Sequence, residues 1–299
     1  MLNSITFQDY RGFSNLKLEN LKPINLIVGS NNVGKTAVLE GLVIPFLEHQ
    51  PCNLAQLFRN SPSKEEQSAF WDWLVNRDAE DNLARITCSA NNFQIHSSVV
   101  NTSTDAHNKV KRYTPQQTDP LAKQSTSQIN LGGSWVNWKV TSQIDQAGKA
   151  VCKVISRPST LGKPETISNL FNEIAPLNPD GEDEIQDFLR NSIEPRLKRI
   201  RYALAKGTKT HLAYVQLEGL REMVPFSQLG QAFSSTLHLY CLLYAEEPDV
   251  MLVDEIENGI YYQGLNDFWK GLHAAVHARN TQLFATTHSF ECMHSAHCE

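Results

Sequence analysis

The feature that constrains this chain most is a glycine loop at residues 29–36, with the sequence Gly-Ser-Asn-Asn-Val-Gly-Lys-Thr. Before it lies the apolar run Ile24 to Val28, which is typical of a buried strand that ends where the loop begins. After it, apolar residues recur at helical spacing from Thr36 to Leu47. A strand, a glycine loop and a helix in this order are the context of a phosphate-binding loop. The loop therefore predicts an α/β fold that binds a nucleotide.

Each part of the loop has a separate expected task. Backbone N–H groups of residues 31–35 should surround the β- and γ-phosphates, and the helix that begins near Gly34 adds the positive end of its dipole. Lys35 supplies a mobile positive charge for the same phosphates, and the Thr36 hydroxyl is a magnesium ligand. We therefore expect ATP and Mg²⁺ to be held here by Gly29, Asn31, Asn32, Val33, Gly34, Lys35 and Thr36.

A second signal is the apolar strand Val250 to Val253, which is followed directly by Asp254 and Glu255. Adjacent carboxylates at a buried strand end repel each other and lose hydration, and a metal ion removes that cost. We predict that Asp254 holds the hydration shell of magnesium. Glu255 is predicted to orient the attacking water and to remove its proton, as a general base does.

A third signal is His288, which follows the apolar strand Gln282 to Ala285. If that strand lies beside the one that leads to Glu255 in a parallel sheet, the imidazole comes close to the γ-phosphate. A neutral histidine in that place can sense whether the phosphate is present. The predicted catalytic residues are therefore Lys35, Glu255 and His288.

The remainder of the chain predicts three further regions. Residues 52–82 are expected to be helical, with five core residues: Phe58, Phe70, Trp71, Trp73 and Leu74. The Trp-rich stretch could instead stack on bases. Residues 83–157 are predicted to form an antiparallel β-rich insertion, ending in a strand at Val151 to Ile155, with a long exposed loop at 101–130. Residues 158–245 are predicted to be a helical lobe, whose last helix carries one apolar face from Phe226 to Tyr244.

Charge is distributed unevenly along the expected helix at 165–210, because an acidic stretch is followed by a basic one from Arg190 to Lys209. These stretches are either two solvated helix faces or a strip that binds nucleic acid or a partner in a salt-dependent way. The net charge of the chain is −5. Any contact with nucleic acid must therefore come from such a local patch.

Composition and sequence pattern predict where in the cell the protein is located. No apolar run approaches the roughly 20 residues that span a bilayer, and no secretory signal begins the sequence. The six cysteines are scattered without a CxxC pair, so we expect reduced thiols, a cytoplasmic protein and no membrane contact. The last residues include possible zinc ligands, but their irregular spacing favours a frayed or partner-bound tail: Cys292, His294, His297 and Cys298.

Four motifs together resemble the bacterial AAA-family ATPases of OLD and RecF/SMC type: the phosphate loop, Pro225 to Gln231, Leu252 to Gly259, and Thr286 to Ser289. The opening, Ile5-Thr6-Phe7 followed by Tyr10 to Phe13, is similar too. The nucleotide-binding heads of that family share the ABC-transporter fold. The resemblance implies one ABC-type P-loop ATPase head over residues 1–299, with a mixed central sheet, an antiparallel β insertion and a helical lobe. Residues 83–210 match in pattern only.

In that family, residues 227–231 correspond to the signature motif, whose helix N-terminus contacts the ATP bound by a second subunit. The resemblance therefore implies a head-to-tail dimer in which Ser227, Gly230 and Gln231 complete the partner's nucleotide site. The motif departs from the family pattern, since the family usually has glycine in place of Ala232 and an acid in place of Gln231. The sequence stops eleven residues after His288, so we expect any nuclease or toxin activity on a separate polypeptide.

The function implied by the resemblance is a slow Mg-ATPase that dimerises or oligomerises on ATP and gates a separate effector. The ATPase subunits of anti-phage systems such as Septu, PARIS and retron-associated modules are similar. One alternative is a DNA-repair or recombination ATPase that binds DNA directly through Arg190 to Lys209. A transporter ATPase subunit is a third alternative.

Overall fold

The computed structural model describes residues 1–46, 73–79, 83–91, 93–101, 123–130, 137–145, 153–157, 162–205 and 207–297. Contacts divide the chain into two compact units: Met1–Lys22 with Asn32–Val154, and Pro23–Asn31 with Ile155–Glu299. The boundary therefore passes through the glycine loop, between Asn31 and Asn32.

The strands of the described residues, in chain order, are β1 (Leu2–Tyr10), β2 (Phe13–Glu19), β3 (Ile24–Val28), β4 (Leu83–Ala90), β5 (Phe93–Asn101), β6 (Lys123–Asn130), β7 (Asn137–Asp145), β8 (Val154–Arg157), β9 (Leu197–Leu204), β10 (His211–Leu217), β11 (Val224–Pro225), β12 (Val250–Val253) and β13 (Gln282–Thr287). The α-helices are α1 (Lys35–Val43), α2 (Pro164–Leu177), α3 (Gly181–Ser192), α4 (Gln231–Ala245), α5 (Leu265–Ala278) and α6 (Phe290–His297).

The first unit contains an antiparallel sheet with the strand order β2-β1-β4-β5-β7-β6. Strand β1 lies between β2 and β4, and four of its apolar side chains are buried: Leu2, Ile5, Phe7 and Tyr10. The turn at Arg11 and Gly12 joins β1 to β2. The predicted β insertion is antiparallel, and it extends the N-terminal sheet because β4 pairs directly with β1.

Helix α1 belongs to this unit and is anchored by a buried ion pair. Arg11 Nη2 lies 2.8 Å from Glu40 Oε2, and the Glu40 side chain is fully buried. The next residues, Ile44–Phe46, form one 3₁₀ turn rather than a continuation of the predicted helix to Leu47.

The second unit contains the sheet that carries the predicted catalytic motifs, with the strand order β3-β13-β12-β8. Strand β13 pairs in parallel with both β12 and β3, and Val253 lies opposite Ala285. Strand β12 is buried along its whole length, which agrees with its continuous apolar sequence. The predicted parallel neighbourhood of the strands before Asp254 and His288 is therefore confirmed.

One strand belongs to a different sheet from the one predicted. The strand expected at Val151 to Ile155 was assigned to the antiparallel insertion, but β8 joins β12 instead. The backbone N–H of Asp254 donates to the carbonyl of Arg157 at 3.0 Å. A short apolar strand carries no signal that distinguishes these two partners.

The predicted helix at 165–210 is wrong in its second half. Helices α2 and α3 are followed by an antiparallel sheet in the order β11-β10-β9, so the lobe at 158–245 is not wholly helical. Leu197 and Ile200 are buried three residues apart, which imitates helical spacing. Pairing with β10, whose Ala213, Val215 and Leu217 alternate inward, makes the segment a strand. The basic stretch therefore lies partly on β9.

Helix α4 begins later than predicted and is buried on all sides. Phe226–Gln228 form a separate 3₁₀ turn, and the helix starts after Gly230. Every residue from Phe233 to Tyr244 is buried, so the helix is the centre of the second core rather than a one-faced surface helix.

Residues Phe290–His297 form a helix, which contradicts the frayed form of the predicted tail, while the partner-bound form stays a prediction. Helix α6 packs against α5 and buries Cys292 and Ser295. Cys298 lies outside the described residues. Within the part of the chain that the structure describes, no group of three or more His, Cys, Asp or Glu side chains could hold a metal ion.

The predicted helix at 52–82 falls largely outside the described residues, as does much of the predicted loop at 101–130. Residues 123–130, at the end of that loop, are strand β6. Leu74 is buried as predicted, but Trp73 is 53% exposed and lies over the guanidinium of Arg77 at 3.6 Å rather than in the core. Within the described residues, no helix is long and apolar enough to cross a membrane.

Candidate functional site

The phosphate loop lies in the predicted context, since β3 ends at Val28 and α1 begins at Lys35. Gly34 precedes the helix with a φ of 99°, and a Cβ there would lie 2.6 Å from Cζ of Phe13. Both the backbone conformation and the space therefore require glycine. Asn32 also has a positive φ, 64°, which asparagine adopts more readily than most residues.

The residues of the loop fit a magnesium-bound triphosphate. Asn31, Asn32 and Val33 are exposed, while Lys35 and Thr36 occupy the first two positions of α1 and are half-buried. A lysine ammonium, a hydroxyl and the N-terminus of a helix are the donor set that phosphate and magnesium require.

The carboxyl ends of β12 and β13 in the second unit are joined by Thr286. Its hydroxyl donates to Oδ1 of Asp254 at 2.7 Å and accepts from the backbone N–H of Glu255 at 2.8 Å. The carbonyl of Thr286 accepts from Ile256 N at 3.1 Å. Asp254 is only 7% exposed. These bonds hold the carboxylate of Asp254 in a fixed position. Thr286 was not among the predicted site residues.

Glu255 has an unusual backbone conformation. Its φ is 49°, in the left-handed region that few residues other than glycine adopt. The turn is held at one end by Thr286 and at the other by Asn258 N, which donates to the carbonyl of Glu255 at 3.0 Å. As a result Asp254 is buried, whereas Glu255 is partly exposed. Two neighbouring acids in different surroundings are suited to different tasks.

His288 follows β13, and its imidazole is 52% exposed. Its backbone N–H donates to Oε1 of Glu257 at 3.2 Å, and its Nδ1 lies 3.3 Å from the same oxygen. Glu257 is buried and lies within the motif Leu252 to Gly259, but no task was predicted for it. The sequence signal that could have identified Glu257 is its position three residues after Asp254.

A buried arginine lies behind the carboxylates. Arg157 is 1% exposed, and its Nη1 donates to Oγ of Ser235 at 2.7 Å. Burial lowers the pKa of its guanidinium to about 10, and the charges of Asp254 and Glu257 oppose that shift. Burial, and then the charge of Arg157, lower the pKa of His238 to about 4. An arginine at the end of a short strand gave no signal in the sequence.

The residues of the signature motif lie at the start of α4. Ser227, Gly230 and Gln231 are exposed, as contact with a second subunit requires. Nε2 of Gln231 donates to Oδ1 of Asn258 at 3.0 Å. Gly259 has a φ of 86°, and a Cβ there would lie 2.9 Å from the backbone N of Ala232. The signature motif and the turn after Glu255 are therefore in direct contact within the second unit.

No protein-family model matches the chain. It is 20% identical to a Helicobacter pylori protein named ATP/GTP phosphatase, over 97% of this chain and 86% of that protein. The SMC head domain from Thermotoga maritima is similar in structure, with a TM-score of 0.52 at 11% identity over 99% of this chain and 92% of that one. An SMC head bound to the C-winged helix domain of ScpA gives a TM-score of 0.59 at 10% identity, over 99% and 91%.

These similarities confirm the predicted fold, an α/β head of the ABC type. Identities of this size show the fold alone. The tasks predicted for Lys35, Asp254, Glu255, His288 and the signature residues stay predictions.

Proposed function

We propose that this chain binds Mg-ATP and hydrolyses it, as an ABC-type ATPase head. The observation that carries the proposal is the different environment of the two carboxylates that follow β12. Thr286 fixes the buried Asp254, while the left-handed turn leaves the next carboxylate, Glu255, partly exposed. The relative named ATP/GTP phosphatase supports hydrolysis of a nucleoside triphosphate.

The nucleotide is assigned to the loop at 29–36. Lys35 and the backbone N–H groups of the loop are proposed to bind the β- and γ-phosphates, and the Thr36 hydroxyl is the proposed magnesium ligand. The task proposed for Asp254 is to hold the hydration shell of magnesium. Magnesium, when bound, neutralises negative charge on the two terminal phosphates. Glu255 accepts the proton of the attacking water, for which a carboxylate beside a fixed acid is suited.

The test of this assignment begins with Lys35. The variant Lys35→Ala is expected to lose nucleotide binding in equilibrium dialysis, and Lys17→Ala is the matched control because Lys17 is an exposed lysine of β2 paired with Glu19. Release of phosphate from ATP should stop in the first variant and continue in the second. Wild-type affinity for ATP in Lys35→Ala would rule out the phosphate-loop assignment.

We also propose that the head associates with a second copy when ATP is bound, head to tail. Support comes from the exposure of Ser227, Gly230 and Gln231 at the N-terminus of α4, the place where the family contacts the partner's nucleotide. Light scattering of the variant Glu255→Gln should show a mass that doubles or rises further with Mg-ATP. A constant monomer mass with saturating nucleotide would rule this out.

The partner gated by such an assembly is proposed to be a separate nuclease or toxin subunit in anti-phage defence, in the reducing cytoplasm. A structural neighbour, the SMC head, is bound to a domain of another protein, ScpA, which is a precedent for a partner of different sequence. The described cysteines Cys88, Cys241 and Cys292 are buried free thiols, which suits a reducing compartment. Growth of cells that carry the adjacent genes, with and without phage, tests the defence role.

A second candidate function is direct DNA binding in repair or recombination. The basic residues Lys198, Arg199 and Arg201 are exposed on β9. Arg196 and Arg190, by contrast, are paired with Glu194 and Asp187. Replacing the three exposed basic side chains by Gln should abolish a salt-dependent gel shift with duplex DNA if this function is correct. Equal binding by the variant, or no binding by the wild type at low salt, would exclude it.

A further inference from the structure

Glu257 lies between the two strand ends of the candidate site and contacts His288 twice. One oxygen, Oε1, accepts from the backbone N–H of His288 at 3.2 Å and lies 3.3 Å from Nδ1 of its ring. The second oxygen, Oε2, is buried and has no hydrogen-bond partner among the described residues. The Glu257 side chain is 10% exposed, whereas that of His288 is 52% exposed. A buried acid thus holds a ring that is half in solvent.

We propose that Glu257 is the positioning residue of His288 and holds its neutral imidazole in the form that carries hydrogen on Nδ1. The inference rests on the proposed function only for its effect on turnover. Nδ1 of His288 lies 3.3 Å from Oε1 of Glu257, within reach of a hydrogen bond. An ionised carboxylate cannot donate, so a hydrogen bond that forms between these two atoms has its proton on the ring nitrogen. Because the same oxygen also binds the backbone of His288, both the position of the residue and the orientation of its ring are set.

The buried guanidinium of Arg157 explains why a carboxylate is tolerated at this position. Glu257 is one of the two acids whose charge stabilises protonated Arg157 against the cost of its burial. Arg157 is itself held by Ser235 on α4, so the charge behind Glu257 is fixed in place.

The orientation decides how His288 takes part in the reaction. A neutral ring that donates from Nδ1 has only a lone pair at Nε2, so that atom accepts a hydrogen bond, as from a water molecule. The neutral ring can therefore sense a phosphate only through a bridging water molecule, and it donates directly to a phosphate oxygen only after it takes a second proton. Without Glu257 the ring is free to adopt the opposite form, with hydrogen on Nε2. Glu257 therefore selects between an accepting and a donating His288.

Nitrogen-15 NMR of histidine-labelled, nucleotide-free full chain tests this directly. The ring signals of His288 are assigned from their loss in His288→Asn and are read at a pH where the ring is neutral. We expect hydrogen on Nδ1 in the wild type and in Glu257→Gln, whose amide oxygen still accepts, but a mixture or the opposite form in Glu257→Ala. A wild-type ring with hydrogen on Nε2 would overturn the proposal even if the alanine variant did not fold.

The rate of ATP turnover is the second measurement that tests the proposal. Glu257→Ala should lower kcat about tenfold while KM for ATP changes less than about twofold, and Glu257→Gln should recover most of that loss. The double variant Glu257→Ala with His288→Ala should be no slower than His288→Ala alone, because both remove one unit. Additive losses would overturn the proposal. The matched control is Glu291→Gln, an exposed acid that contacts Ser289 Oγ at 2.9 Å and should keep wild-type kcat. An inactive wild type with hydrogen on Nδ1 would refute the ATPase proposal and leave the positioning contact intact.

Discussion

The hydroxyl of Thr286 can be removed by one small substitution, which tests whether it holds Asp254 and Glu255 in place. Thr286→Val keeps the shape of the side chain and removes the bond to Asp254 and the bond from Glu255 N, at 2.7 and 2.8 Å. A hydrogen bond to a charged group contributes about 1.5–3 kcal/mol, and one between neutral groups about 0.5–1.5 kcal/mol. Because Thr286 is fully buried, water cannot replace the hydroxyl. We expect Thr286→Val to lower the free energy of unfolding by about 2–4 kcal/mol.

Urea unfolding of the nucleotide-free protein, followed by tryptophan fluorescence, measures this loss, and the denaturant slope should stay constant. Thr281→Val is the matched control. Thr281 is equally buried, but its hydroxyl donates to a neutral group, the carbonyl of Pro248, at 2.7 Å, so its loss should be only about 1 kcal/mol. Thr286→Ser, which keeps a hydroxyl, should recover most of the stability. Equal stability of Thr286→Val and the wild type would refute the claim that this hydroxyl holds the two acids in place.

Three further predictions concern the loop, the buried histidine and the acid of the proposed reaction. Gly34→Ala should cost about 1–3 kcal/mol of stability in urea unfolding and weaken ATP binding in equilibrium dialysis, because the φ of 99° is strained for alanine and the new methyl meets Phe13. Gly12→Ala, with open space around it, should change neither quantity. His238 has a folded pKa of about 4, below its unfolded value of 6.5, so the unfolded chain binds the proton first as the pH falls. Stability should therefore drop by about 2 kcal/mol between pH 7 and pH 5, and His238→Phe should lose that part of the drop in urea titrations at the two pH values. Glu222→Gln, an exposed acid before the signature motif, should keep full phosphate release, so that any loss in Glu255→Gln is specific.

The parts of the fold that were predictable are those specified by short contiguous patterns. The loop at 29–36 is bounded by a continuous apolar strand and a helical repeat, and β12 is a continuous apolar run that ends at Asp254. In these segments local propensity and burial favour the same structure, so the sequence alone places them. The predicted parallel pairing of β12 with β13 is present in the structure.

The contacts that were not predictable depend on strand register and on partner choice. Thr286 meets Asp254 across 32 residues of sequence, because Val253 pairs with Ala285 and not with a neighbour. A shift by one residue would exchange the faces of the side chains. Arg157 lies behind the acids only because β8 joins β12, and β9 is a strand only because β10 is its partner. Such choices are made by tertiary packing, which a helical spacing of Leu197 and Ile200 cannot reveal.

The most direct test of the ATPase proposal is a comparison of ATP binding and phosphate release in Glu255→Gln. The amide is nearly the same size as the acid but cannot accept the proton of the attacking water. We expect ATP affinity within about threefold of the wild type and phosphate release lowered by about 100-fold, in the range that removal of a general base produces. Phosphate release at the wild-type rate, from a variant that binds ATP normally, would contradict the assignment of Glu255 as the base.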